Sequence, residues 1–207
     1  MEKNIAPYGN ARARTIVWTF ADQIPKHREP IHSPRPDLAK KYPSFKDKAK
    51  QYRVDTKFES LQQSKDFSKE FPINLTTGRL VNFSGAGMET RASKYLSRIT
   101  PEMFADIHPE LAAKHGIKNW DFVWVHSPEG TKIKVRARIV PSVKPNMIFL
   151  PFHWAGYMQG VDMTGNFPEG TLPFAVGESA NTVTNYGYDI NTQIPETKGG
   201  LCRIERA

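Results

Sequence analysis

The sequence predicts a mainly β protein with short helices, built as a small closed β-barrel and preceded by an extended proline-rich arm. Three observations lead there. In residues 132–139, Lys132, Lys134, Arg136 and Arg138 alternate strictly with Ile133, Val135, Ala137 and Ile139, the period of a strand with one buried face. Phe71, Ile73 and Leu75 alternate in the same way with Pro72, Asn74 and Thr76, and this run stops abruptly at a polar turn, Thr77-Gly78-Arg79. The remaining strand-like runs are joined by turns and short helices with no βαβ alternation, which argues against a doubly wound parallel sheet.

Along the chain, Arg12-Ala13-Arg14-Thr15-Ile16-Val17-Trp18-Thr19-Phe20 reads as a strand because β-branched and aromatic residues are bunched in it. Pro25, Pro30, Pro34, Pro36 and Pro43 then fall within nineteen residues, a density that blocks helix and central strand alike. Residues 44–69 are polar and weakly helical at most, so residues 1–70 form an arm without a core of its own. The barrel is assigned to residues 71–207. The strand at 71–75 opens it, and the glycine-bearing stretch 80–91 reads as a loop with two oxygen donors, Ser84 and Thr90. Ser93 is placed to cap a helix over 94–98. Thr100-Pro101-Glu102 has the form of a further helix start. Residues 104–107 make a short strand. His108-Pro109-Glu110 opens a compact helix that Gly116 closes, with Leu111 and His115 on one face. Phe122-Val123-Trp124-Val125-His126, the turn Ser127-Pro128-Glu129-Gly130 and the 132–139 strand form a hairpin. Met147–Phe152 returns as a buried strand, residues 155–195 read as loop, and a last strand runs through Leu201-Cys202-Arg203-Ile204.

Composition narrows the function classes. The chain has 207 residues, of which 24% are charged and 39% hydrophobic, as in a globular protein. Its longest apolar run, Met147-Ile148-Phe149-Leu150-Pro151-Phe152, is far below the roughly 20 residues of a membrane span. The first residues, Met1-Glu2-Lys3-Asn4, lack the apolar core of a secretory signal. Net charge is +8, and the excess is concentrated early: residues 1–70 carry 15 Lys/Arg against 9 Asp/Glu, the rest 14 against 12. A basic first third suits an acidic partner or a nucleic acid, or simply a solvated arm. The single cysteine, Cys202, excludes an internal disulfide framework and reads as a buried structural thiol. No His, Cys or carboxylate cluster has metal-ligand spacing, so no metal site is expected from this chain alone.

The candidate chemistry is anion and heterocycle binding rather than bond breaking. Thr77-Gly78-Arg79 combines close backbone approach with a planar fork of donors suited to phosphate, although a plain surface turn has the same composition. Four cations on one face of 132–138 can likewise grip an anion or simply face water. Asn181 and Thr182, within Ser179-Ala180-Asn181-Thr182-Val183-Thr184, carry donors and acceptors for the edge of a ring.

The order of these pieces resembles a known family. Leu75-Thr76-Thr77-Gly78-Arg79 is followed by Thr90-Arg91, by Asp106-Ile107-His108-Pro109-Glu110-Leu111-Ala112 and by the charged hairpin. Leu150-Pro151-Phe152-His153, Asn181-Thr182-Val183-Thr184 and Pro195-Glu196-Thr197-Lys198 come next. This succession resembles the C-terminal dinucleotide-binding domain of the molybdopterin-dependent oxidoreductases, the dimethyl sulfoxide reductase superfamily. Within it the chain is most similar to the large (alpha) subunit of respiratory formate dehydrogenases, through Arg28-Glu29-Pro30-Ile31-His32-Ser33-Pro34-Arg35-Pro36 and Asn185-Tyr186-Gly187-Tyr188-Asp189.

The resemblance implies a six-stranded double-psi β-barrel of the aspartate-decarboxylase-like type. It implies binding of molybdopterin guanine dinucleotide by Thr77, Gly78, Arg79, Ser84, Gly85, His153, Asn181, Thr182 and Lys198, with molybdenum or tungsten held by the cofactor and an upstream ligand. Many relatives carry Trp and His where this chain has Ser84-Gly85. The iron–sulfur cysteines, the metal ligand and the catalytic residues of the family lie upstream of this region, so the chain is expected to be the C-terminal part of a longer subunit that performs no catalysis by itself. Iron–sulfur and membrane cytochrome subunits are the implied partners, and a periplasmic, membrane-associated complex the implied location. Two alternatives stand beside formate oxidation. One is the same domain in a nitrate or other oxyanion reductase. The other is a standalone basic barrel that binds nucleic acid, which the absence of interleaved aromatics in 132–138 argues against.

Overall fold

The computed structural model describes residues 36–42, 61–170, 176–185, 187, 194–195 and 197–207. Its strands are β1 (Ile73–Gly78), β2 (Phe104–Ile107), β3 (Phe122–His126), β4 (Lys132–Ile139), β5 (Met147–Pro151), β6 (Ala155–Met158), β7 (Val161–Asp162), β8 (Val176–Glu178) and β9 (Gly200–Arg206). Its α-helices are α1 (Pro36–Lys41), α2 (Leu61–Ser64), α3 (Met88–Ala92), α4 (Lys94–Ile99) and α5 (Pro109–Lys114).

Six strands close into a barrel in the order β1-β5-β2-β4-β3-β9. Two pairs are parallel, β1 with β5 and β2 with β4, and each joins strands that are not sequence neighbours. The chain therefore crosses over the barrel ends, as the expected double-psi connection does. β9 closes the ring by running antiparallel to both β1 and β3, with Cys202 opposite Ile73 and Ile204 opposite Val125. The period-two patterns supply the core: Ile73, Leu75, Ile133, Val135, Ala137, Ile148 and Leu150 are all buried in one cluster with Val123, Val125, Cys202 and Ile204. Cys202 is fully buried, and burial pushes its thiol pKa far up, as befits a packing residue.

β2 is buried at every position because both of its faces are covered. Ala105 and Ile107 enter the core, while Asp106 takes a forked pair of hydrogen bonds from Arg138, 2.5 Å from Nε and 2.8 Å from Nη2. The cationic face of β4 is not bare. Arg138 lies 3.8 Å over the Phe104 ring, Arg136 3.6 Å over Phe122 and Lys132 4.1 Å over Trp124. Arg136 also donates to Glu102. Aromatics are thus interleaved with these cations after all, from the neighbouring strands rather than from β4 itself. They are spent on intramolecular cation–π contact.

The helices follow their local signals with two exceptions. Ser93 caps α4, its side chain accepting from the Leu96 amide, and His108 caps α5 by accepting from the Glu110 amide through Nδ1. The expected helix at Thr100-Pro101-Glu102 is absent: Thr100 ends α4, and the chain bends directly into β2, where Phe104 is buried. The stretch read as loop over 80–91 contains a 3₁₀ turn at Gly85–Gly87 and then α3. Likewise, the expected loop over 155–195 contains a three-stranded sheet, ordered β7-β6-β8.

α2 is tied to the barrel by Gln62, whose Oε1 accepts from the Leu201 amide at 2.8 Å. In α1, Pro36 occupies the first turn, where its missing N–H costs nothing, although proline density reads as extended chain. The strand expected at residues 12–20 and most of the proline-rich arm lie outside the described residues. Among the described residues, no helix is long and apolar enough to cross a membrane, and no group of three or more His, Cys, Asp or Glu is gathered to hold a metal ion.

Candidate cofactor-binding cleft

β1 and β5 finish side by side, with Gly78 opposite Pro151. One step beyond these ends the two segments part. A cleft of about 400 Å³ opens there, lined by Ala86, Arg91, Phe152, His153, Trp154, Ala155, Ser179, Asn181 and Thr197.

One wall is the turn after β1. Gly85, Ala86 and Gly87 all have positive φ, at 53°, 57° and 77°. Ala86 is held in a conformation unfavourable to a residue with a Cβ. Thr90 braces this turn from inside: its hydroxyl donates to the Asn82 carbonyl at 2.6 Å and accepts from the Ser84 amide at 3.0 Å. Thr90 is therefore fully engaged in the fold and is not a ligand donor. Gly87 has no room for a side chain, since a Cβ would stand 2.7 Å from the His153 Cβ and 2.8 Å from Arg91 Nη1.

The second wall follows β5. The Phe152 amide donates to the Gly78 carbonyl at 3.1 Å, which continues the pairing one step past the ladder. His153 then turns with φ 96° and lays its ring parallel to Phe83, 6.4 Å between centroids. Arg91 donates from Nη1 to the His153 carbonyl at 2.5 Å and reaches the Ala86 carbonyl at 3.5 Å with Nη2. It thereby joins the two strained corners of the cleft.

Electrostatics in the cleft are positive. The His153 pKa is lowered, first by desolvation and then by the charges of Arg79 and Arg91. Both guanidinium groups therefore act on the same imidazole, and the field that disfavours its protonation favours a bound anion. As His153 is harder to protonate in the folded chain than in the unfolded one, folding stability falls as pH drops below the ordinary 6.5. His115 is shifted in the same direction, by burial and then Lys114. The share due to His153 is the difference between parent and variant. Urea unfolding midpoints measured from pH 7.5 to 5 are expected to decline less in His153→Gln than in the parent.

The predicted residues divide according to position. His153 and Asn181 line the cleft. Arg79 is exposed beside it and acts on His153. Ser84 and Gly85 belong to the turn that forms its wall, and Gly78 supplies a carbonyl that holds the two walls in register. Thr77 is buried and donates to the Thr197 carbonyl at 2.9 Å, which fixes a lining residue from behind. Thr182 contributes its carbonyl to the Thr131 hydroxyl and does not line the cleft. Lys198 is exposed next to Thr197. Arg91, Trp154 and Ser179 line the cleft without having been singled out as binding residues. For Arg91 a signal existed: a cation four residues after Gly87, one helical turn on, points back toward the glycine turn.

A ligand of mixed character fits these walls. The buried nitrogens His153 Nε2 and Trp154 Nε1 have no hydrogen-bond partner. A ligand whose binding brings acceptors against this wall would relieve that cost. The glycine turn leaves space for close approach of backbone, the two arginines suit phosphate, and Asn181 suits a heterocycle edge.

Comparison with known proteins agrees with this chemistry. The model of the molydopterin dinucleotide binding domain matches residues 73–201. The chain belongs to that family.

It is 35% identical over 137 residues to the F420-dependent formate dehydrogenase 1 subunit alpha of Methanococcus maripaludis, covering 66% of this chain and 17% of the relative. It is 31% identical over 153 residues to the formate dehydrogenase 2 subunit alpha (cytochrome c-553) of Nitratidesulfovibrio vulgaris, covering 70% and 14%. It is also 34% identical over 96 residues to the assimilatory nitrate reductase catalytic subunit of Bacillus subtilis, covering 46% and 13%. Among solved structures, acetylene hydratase from Pelobacter acetylenicus shares the fold with a TM-score of 0.53 and 17% identity over 75% of this chain and 21% of that one. The chain thus spans less than a fifth of the curated relatives it matches.

Family membership makes molybdopterin guanine dinucleotide the cofactor of this domain. When bound, that group supplies the dithiolene sulfurs that hold a redox-active metal. The residues that would hold it are Arg79 and Arg91, whose positive charge suits the pyrophosphate, the 85–87 turn, which leaves room for close approach, and His153, Trp154 and Asn181, which line the cleft.

Proposed function

We propose that this chain is the C-terminal, dinucleotide-binding portion of the large subunit of a molybdenum- or tungsten-dependent formate dehydrogenase. In the complete enzyme, formate is oxidised to carbon dioxide at the metal, and electrons leave through iron–sulfur clusters held by other parts of the polypeptide. The domain anchors one or both pterin dinucleotides and performs no bond breaking itself. The observation that supports the substrate is the similarity to formate dehydrogenase alpha subunits of both Methanococcus maripaludis and Nitratidesulfovibrio vulgaris. By the same reading, residues 1–70 wrap the other domains of the subunit, iron–sulfur and cytochrome subunits are its partners, and the complex is periplasmic and membrane-associated. The nitrate reading keeps the cleft and changes the substrate, and it is favoured by the similarity to the nitrate reductase catalytic subunit.

The test is turnover by the complete subunit that contains this chain. With one artificial electron carrier, formate-dependent reduction of the carrier is expected, with no nitrate-dependent oxidation of it. The reverse result rejects formate in favour of nitrate. The isolated 207-residue chain is expected to show neither activity.

A further inference from the structure

Glu178, the last residue of β8, is 2% exposed and has no cationic partner among the described residues. Its carboxylate accepts instead from three backbone amides. Oε1 takes the Lys134 amide of β4 at 3.1 Å and the Gly160 amide at 2.5 Å, and Oε2 takes the Gln159 amide at 3.0 Å. Gln159 and Gly160 form the tight turn between β6 and β7, both with positive φ, at 51° and 84°. Such a turn aims its two amides at one point, and the carboxylate sits there. A single anionic group therefore pins the small sheet to the outside of the barrel.

The residues that follow are part of the cofactor cleft. Ser179 and Asn181 line it, Ser179 just before the 3₁₀ turn Ala180–Val183 and Asn181 within it. That turn is fastened at its far end as well, by the Thr131 hydroxyl donating to the Thr182 carbonyl. Asn181 is thus suspended between two tethers to the same hairpin, β3–β4, one on either side of it.

We propose that Glu178 is a positioning residue for the dinucleotide: its carboxylate, with Thr131 as second tether, presets the Ser179–Asn181 wall before the cofactor arrives. This rests on the cofactor reading of the cleft. The carboxylate is specific to the task, since three donors converge on two acceptor oxygens. An amide in its place turns an NH₂ group toward a backbone N–H and leaves it unpaired.

The test uses the full 207-residue chain and guanosine diphosphate as the probe for the nucleotide half, titrated calorimetrically. Glu178→Gln is expected to weaken binding about tenfold, close to 1.4 kcal/mol. Thr131→Val, a milder change at the other tether, is expected to weaken it in the same direction, and it keeps the proposal refutable where Glu178→Gln does not fold. Cys202→Ala, in the barrel core and away from the cleft, serves as the stability control. It is expected to lower Tm while leaving the affinity of the folded chain unchanged. Tether variants that bind like the parent overturn the proposal. So does a loss of affinity in Cys202→Ala matching theirs, because general loosening then accounts for the effect. Absence of binding by the parent overturns the cofactor reading of the cleft and this proposal with it.

Discussion

Gly87→Val is expected to remove cofactor binding while the barrel still folds. Three costs fall on one position. The backbone has φ 77°, where a residue with a Cβ, and a β-branched one above all, is strained by about 1–2 kcal/mol. The new Cβ would meet the His153 Cβ at 2.7 Å and Arg91 Nη1 at 2.8 Å, an overpacking worth about 1–3 kcal/mol more. Relief of either contact shifts His153 or breaks the bond from Arg91 to the His153 carbonyl, and both residues line the cleft. The turn at Gly85–Gly87 packs outside the six-strand ring, so the loss is local. The measurement is molybdenum or tungsten and guanine content of the complete subunit purified with and without the substitution, beside far-ultraviolet circular dichroism of the isolated chain. Near-parent circular dichroism with strongly reduced cofactor content is expected. Parent-like cofactor content would show that the turn is not part of the seat.

The second large effect is on stability. Leu150→Ala is expected to destabilise the chain by about 2–5 kcal/mol, the range for deleting a large aliphatic side chain from a close-packed core. Leu150 is fully buried, and β5 stands between β1 and β2, so no edge lets the barrel collapse into the gap. Its register partner is Thr77, which braces Thr197 in the cleft wall. For a chain of this size each kcal/mol lost lowers Tm by about 2–4 °C. Urea unfolding is the direct check: the midpoint falls and the slope is unchanged. A fall well under 1 kcal/mol would mean that this end of the barrel is loosely packed.

Much of the barrel is legible in the chain, and the reason is local. Ile133, Val135 and Ala137 against Lys132, Lys134 and Arg136 state one buried and one outer face without reference to any other strand. Ser93 and His108 state their helix starts in the same way, because a cap bonds amides two or three residues away. What the outer face of β4 does is not legible. Phe122 and Trp124 reach those cations through the hairpin, but only the barrel brings Phe104 of β2 under Arg138, across a separation that no local pattern spans. The small sheet is illegible for a related reason: β6, β7 and β8 are at most four residues long, and the carboxylate that joins β8 to the β6–β7 turn and to β4 accepts from amides 18 to 44 residues away.

The cleft divides along the same line. The sequence by itself determined which residue types are offered to a dinucleotide, in the glycine turn, Arg79, His153 and Asn181, and the order in which they occur. Tertiary structure alone decided which of them meet. It brought Arg91 to His153 across 62 residues, turned Thr90 inward to hold backbone, tied the Thr182 carbonyl to the Thr131 hydroxyl, and placed Trp154 in the wall. The physical reason is that a strand pattern is written in neighbours, whereas a binding site is written where strand ends converge. Convergence here depends on β1 and β5 running parallel, a pairing of residues more than seventy positions apart.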